Sequence, residues 1–164
     1  MRIELTVNGE KHLIEAEPEE TLLKILRDKL GLTGAKKGCD TGTCGLCMVI
    51  LDGETVKSCQ IKAKQLKMNK VVTVEGLGKP GALHPLQKAF IEHDAVQCGF
   101  CTPAMLIVAL DLLNRNPIPS REEITKTLSK VLCRCTGYIP IIRAIESLAE
   151  ENKRKLTSKI KSQT

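Results

Sequence analysis

The spacing of cysteine constrains this chain more than any other feature. Eight cysteines fall into two groups of four: Cys39, Cys44, Cys47 and Cys59, then Cys98, Cys101, Cys133 and Cys135. The N-terminus has neither the apolar stretch of a secretory signal nor a twin-arginine pair, so the expected compartment is the cytoplasm. In that reducing setting a thiol density of this kind serves metal or redox chemistry, not a disulfide framework. Four thiolates are what one zinc ion or one iron-sulfur cluster takes.

Spacing separates the two options. Structural zinc is usually gripped by paired C-x2-C knuckles. The first group instead runs C-x4-C-x2-C within a single loop, the order of plant-type [2Fe-2S] centres. Gly38, Gly42 and Gly45 lie between and beside these cysteines. They permit positive φ and close backbone approach, so amide N–H groups can turn toward an anionic cluster. Structural zinc remains the alternative. In the second group, Cys98 and Cys101 precede a helix opened by Pro103, and Cys133 and Cys135 precede a helix from Ile139. Two positive helix N-termini then converge on one anionic site. Residues two apart on a helix point about 200° away from each other, so Cys133 and Cys135 require non-helical backbone.

Hydrophobic period divides the chain in two. Arg2–Val7 alternates, Asn8-Gly9 is a hairpin turn, and Lys11–Ala16 can return beside it. Leu22, Leu23, Leu26 and Leu30 predict one helix ended by Gly31. Met48–Leu51, Asp52-Gly53 and Glu54–Cys59 predict a second hairpin, and Lys70–Val74 a last strand. Helices are predicted over 83–93, 103–114, 120–132 and 139–156, the third opened by the capping box Ser120-Arg-Glu-Glu123. Glu75–Ala82 reads as a joint. Its Gly76-Leu-Gly78-Lys-Pro-Gly81 matches a dinucleotide-binding string, but Pro80 and Pro85 interrupt the helix such a site needs, and the window Cys98–Cys101, where its acid would fall, holds no Asp or Glu.

In chain order, Gly38-Cys-Asp-Thr-Gly-Thr-Cys-Gly-Leu-Cys47, Ser58-Cys59, Gln97-Cys-Gly-Phe-Cys-Thr-Pro103 and Cys133-Arg-Cys-Thr-Gly-Tyr138 resemble the iron-sulfur subunit of the molybdenum hydroxylases. That family includes aerobic carbon monoxide dehydrogenase, aldehyde oxidoreductases and xanthine dehydrogenases. The resemblance spans about residues 2–148 and implies an α+β chain. A ferredoxin-like β-grasp domain is expected over 1–76, a four-helix-bundle domain over 77–156, and a basic, flexible tail over 157–164. It implies one [2Fe-2S] cluster per domain, ligated by Cys39, Cys44, Cys47 and Cys59 in the first and by Cys98, Cys101, Cys133 and Cys135 in the second. It further implies a large partner subunit with molybdopterin and molybdenum, a medium partner subunit with FAD, and a heterotrimer in single or doubled copy. Gln97 and Cys135 match the residues that also touch the pterin. Ala104 and Lys130-Val131 depart from the family pattern without removing a ligand.

No acid–base carboxylate pair, nucleophile motif or phosphate loop is present, so the chain is expected to carry electrons and catalyse nothing by itself. Electrons would pass singly from the molybdopterin centre through the second cluster, then the first, to FAD. A separate short chain favours an aldehyde or carbon monoxide type of holoenzyme. A free-standing two-cluster ferredoxin is the rival reading, and a zinc-bound nucleic-acid binder a third. His12, His84 and His93 read as surface or capping residues, while Phe100 and Tyr138 read as shields of the second cluster. The net charge of +6 weakens the nucleic-acid reading on inspection: Lys153–Thr164 holds five Lys or Arg and no acid, leaving the rest near neutral. Only three aromatic residues are available for stacking on bases. No run approaches the roughly 20 apolar residues of a membrane span.

Overall fold

The structure is a computed structural model that describes residues 1–161. Turn chemistry sets both hairpins. Asn8, Gly9, Asp52 and Gly53 adopt φ of 52, 89, 50 and 93°, as two-residue turns joining right-twisted strands require. Strand β1 (Arg2–Val7) therefore pairs antiparallel with β2 (Glu10–Glu15), and β3 (Met48–Leu51) with β4 (Glu54–Lys57). Strand β5 (Met68–Val72) lies between the hairpins, parallel to β1 and antiparallel to β3, giving the order β2-β1-β5-β3-β4. It begins two residues before the predicted strand and stops at Val72. Thr73 leaves the ladder because Asn8 captures it, Thr73 N–H donating to Asn8 Oδ1 at 2.9 Å and Asn8 Nδ2 to Thr73 Oγ1 at 2.9 Å.

The predicted helix after Pro18 is shorter and wider than its periodicity suggests. Helix α1 (Leu22–Lys24) is capped by Thr21 Oγ1 and widens into a π turn over Ile25–Lys29. Arg27 then donates to the carbonyls of Thr33 and Ala35 at 2.8 Å, folding the chain back after Gly31. Leu22, Leu23, Ile25 and Leu26 are buried with Ile3, Leu5, Val7 and Val49 in the first core. Strand β3 explains its own uninterrupted apolar run. Val49 enters that first core, whereas Met48 and Ile50 point to the opposite face and join a second core built on helices.

Four helices complete the chain: α2 (Pro85–Glu92), α3 (Thr102–Arg115), α4 (Arg121–Leu128) and α5 (Ile139–Lys161). Helix α3 is buried nearly all round because it lies across β3 and β4 on one side and meets α2, α4 and α5 on the others. Fully buried Phe90, Met105, Ile107, Ile124 and Ile141 fill the space between them. Full burial of such a side chain contributes about 1.5–3 kcal/mol. The Ser120–Glu123 capping box forms as predicted, Glu123 N–H donating to Ser120 Oγ at 3.3 Å and Ser120 N–H to Glu123 Oε2 at 2.8 Å. Buried Asp111 on α3 pairs with Arg115 and accepts from Thr55 Oγ1 of β4 at 3.2 Å, fastening helix to sheet. Helix α4 stops at Leu128, four residues short of prediction, and residues 129–132 become a turn whose polar groups are used elsewhere. Residues 157–161 of the expected tail continue α5, and 162–164 lie outside the described residues.

The glycines of the joint serve packing. A side chain at Gly76 would strike Asn8, and one at Gly78 would strike Gln87 and His84.

Candidate functional site

The first four thiols hang from one loop and one hairpin. Gly42 and Gly45 take φ of 74 and 71°, curling the backbone between Cys39 and Cys47 so that amides face sulfur. Cys44 N–H donates to Cys39 Sγ at 3.5 Å, and Thr43 Oγ1 approaches the same sulfur at 3.8 Å. Hydrogen bonds from the Cys44 amide first, then from the Cys44 thiol and the Thr41 amide and hydroxyl, hold the Cys39 thiol down to about 5 and favour the thiolate. Cys47 is buried and its thiol is pushed up to about 11 by that burial. Cys59 arrives at the end of β4, where Ser58 Oγ donates to Cys47 O at 2.7 Å and ties the two cysteine-bearing segments together. Cys44 lies against Cys39 and Cys47 against Cys59, with Cys44 also facing Cys47 and Cys59.

Helix ends build the second set. Cys101 is the N-cap of α3, and Cys133 and Cys135 lie in non-helical backbone before α5, as the C-x-C spacing demands. Cys98 and Cys135 are exposed with their sulfurs 3.4 Å apart, while Cys101 and Cys133 are buried against each other. Burial pushes the Cys101 thiol up to about 12. For Cys133, burial acts upward but the Thr136 hydroxyl and amide outweigh it, and the thiol is lowered. Cys98 is lowered by the Phe100 amide first and by Cys135 second. Among the described residues no group of three or more His, Cys, Asp or Glu side chains gathers as a metal-ion site; the second set pairs Cys98 with Cys135 and Cys101 with Cys133.

Tyr138 organises this second loop in a way composition did not reveal. At φ 67° it turns its ring back, and its hydroxyl accepts from Cys133 N–H at 2.8 Å while donating to Val131 O at 3.0 Å. The residue between is used as well. Leu132 N–H donates to Cys44 O at 2.8 Å, which joins the loop of one thiol set directly to that of the other. Gly45 makes the approach possible: a Cβ there would collide with the Lys130 carbonyl oxygen. The sequence links Gly45 only to its own loop; the fold shows that it faces Lys130 and Val131.

Other predicted residues are placed as follows. Gln97 is exposed beside Cys98, so it and Cys135 share the outer surface of the second set. Phe100, expected to shield, is 46% exposed. Arg134 is exposed, and His84 caps α2 by accepting Leu86 N–H at Nδ1, 3.2 Å away.

Residues 5–71 match the model of the 2Fe-2S iron-sulfur cluster binding domain, and residues 73–146 that of the [2Fe-2S] binding domain. Over 148 residues the chain is 46% identical to the nicotinate dehydrogenase small FeS subunit of Eubacterium barkeri, covering 90% of this chain and 94% of that one. The chain belongs to the iron-sulfur subunits of the molybdenum hydroxylases. Solved members superpose closely. Quinoline 2-oxidoreductase from Pseudomonas putida matches with a TM-score of 0.88 and 45% identity over 94% of this chain and 96% of that one. The aldehyde oxidoreductase of Desulfovibrio desulfuricans matches at 0.90 and 42%, but this chain spans only 17% of its length. As an iron-sulfur subunit of this family, the chain is an electron-transfer component of an oxidoreductase, with one [2Fe-2S]-binding domain for each thiol set.

Proposed function

We propose that this chain relays electrons out of a molybdenum hydroxylase, from a molybdopterin centre on a large partner subunit to FAD on a medium one. Its two units are read as a β-grasp domain over 1–76 and a four-helix bundle over 77–156. Cys39, Cys44, Cys47 and Cys59 would hold one [2Fe-2S] cluster and Cys98, Cys101, Cys133 and Cys135 the other. Each cluster, when bound, accepts and releases one electron at a time, so that a two-electron oxidation is divided into single steps. The bridge from Leu132 N–H to Cys44 O carries the proposal, because it places a backbone hydrogen bond between a ligand of one set and the residue preceding a ligand of the other.

The surroundings of the second set support a standing partner over a freely diffusing carrier. Val96, Phe100, Leu132 and Ile139 are 43, 46, 51 and 45% exposed near Cys98 and Cys135, an apolar surface of the kind that marks an interface. On this reading Gln97 and Cys135 face the pterin. The assembly is read as a heterotrimer, single or doubled, in the cytoplasm; among the described residues no helix is long and apolar enough to cross a membrane. Oxidation by hydroxylation would take place on the large subunit. Relatives are named for aldehydes, nicotinate and quinoline, which supports keeping nitrogen heteroaromatic rings beside aldehydes and carbon monoxide as candidate substrates.

The test is iron and acid-labile sulfide analysis with electron paramagnetic resonance on the complex purified with its partner chains. About four of each per small chain and two distinct reduced-cluster signals are expected. A colourless protein containing zinc would overturn the proposal, and so would a small chain that purifies alone as an active carrier.

A further inference from the structure

We propose that Gln60 is a positioning residue that raises the reduction potential of the N-terminal cluster by hydrogen bonding to Cys59; the assignment rests on the two-cluster reading above. The amide is aimed at a ligand from outside the ligand loop: Gln60 Nε2 donates to Cys59 Sγ at 3.4 Å. Its seat is built by the neighbouring loop. A Cβ at Gly42 would lie 2.8 Å from both Cδ and Nε2 of Gln60, so the side chain rests over a position that the glycine leaves vacant. Gly42 thus has two duties, its φ of 74° and the room it leaves for the amide. A metal-bound thiolate can only accept, so the NH2 group is the end of the amide that faces it.

The sign follows from charge. Reduction adds an electron to a unit that is already anionic, and an N–H dipole directed at a ligand sulfur stabilises the more negative state more strongly. Backbone amides supply such bonds at Cys39 and cannot be removed by substitution; Gln60 supplies one from an exposed side chain that can. It also lines an open cleft with Cys59, four Lys or Arg and two Asp, Asp28 and Asp40, and is itself exposed, so substitution there leaves the cores untouched.

The experiment is a potentiometric measurement on the intact complex, following each cluster by its own paramagnetic signal in wild type, Gln60→Leu and Gln60→Glu. The N-terminal cluster should shift to a more negative midpoint in Gln60→Leu, which loses the donor. It should shift further in Gln60→Glu, which loses the donor and adds a negative charge, with the other midpoint and the iron content unchanged in both. An unmoved N-terminal midpoint in both variants would overturn the assignment, as would equal shifts of both clusters or loss of iron, which would mark a structural role. A wild-type complex lacking two cluster signals would instead sink the underlying two-cluster reading, so the two failures are told apart.

Discussion

The two thiol sets solve one problem by different means. Three of the first four cysteines lie within nine residues, Cys39 to Cys47, and the fourth comes from an adjacent hairpin. Left-handed glycines and a strand pair shape that set, so its geometry is largely local. The second joins Cys98 and Cys101 to Cys133 and Cys135 across more than thirty residues, and it exists only because α3 and α5 bring their N-termini together. One site is made by turns and the other by packing. The difference teaches where each is vulnerable: the first to backbone conformation, the second to anything that lets the helices part.

Ligand loss gives the largest expected effect. Cys47→Ser and Cys101→Ser each remove a buried thiol, and each should lower iron from about four to about two per small chain, sparing the other cluster's signal. The comparison predicts unequal collateral damage. Without its metal the second set has no short-range tether, so Cys101→Ser should raise hydrogen exchange in residues 129–138 and the first turns of α3 and α5. Cys47→Ser should leave the β1–β2 ladder protected. Equal loss of protection in both units would break the comparison.

Gly45→Ala acts where the sites touch, and its effect is intermediate. The added methyl meets the Lys130 carbonyl, and the residue must keep φ at 71°. Overpacking of this kind costs about 1–3 kcal/mol, with a further strain near 1 kcal/mol for a non-glycine residue in the left-handed region. A drop of that size in unfolding free energy is expected. It should be accompanied by weaker magnetic interaction between the two clusters and slower electron exchange, at full iron content. Unchanged interaction with the same destabilisation would show that the Leu132–Cys44 bridge is structural only.

The sequence made the local site legible and the packed one less so, for the same physical reason. Ligand spacing, the Asn8-Gly9 and Asp52-Gly53 turns, the Ser120 cap and the non-helical backbone at Cys133 and Cys135 are all set by near neighbours, and each was readable from residue type. The missed features are tertiary. Thr73 leaves β5 because Asn8, far away in sequence, captures it. Helix α4 ends at Leu128 because Val131, Leu132 and Cys133 spend their polar groups on Tyr138 and Cys44. Tyr138 carried a weak signal in its place after Thr136 and Gly137, but nothing in that pattern says that the hydroxyl, not the ring, does the organising. Gln60 carried none.

A final, small effect separates the two units by pH. His84 caps α2 in the helical unit through Nδ1, a role open only to the neutral ring, and burial lowers its pKa below the usual 6.5. The depressed native pKa means that the unfolded chain binds the proton more readily. The contribution is therefore fully present above about 6.5 and is lost as pH falls through the lower native value. A protonated ring at a helix N-terminus also opposes the helix dipole. The loss should amount to at most about 1 kcal/mol, the scale of one N-cap. His84→Asn keeps an accepting cap and removes the titration, so its unfolding free energy should fall less than that of wild type as pH drops below that point. Because His84 stands at the start of α2, which ends at Glu92, the loosening should appear as added hydrogen exchange in α2, with β1 and β2 unaffected. Identical pH slopes for the two proteins would remove His84 as the cause.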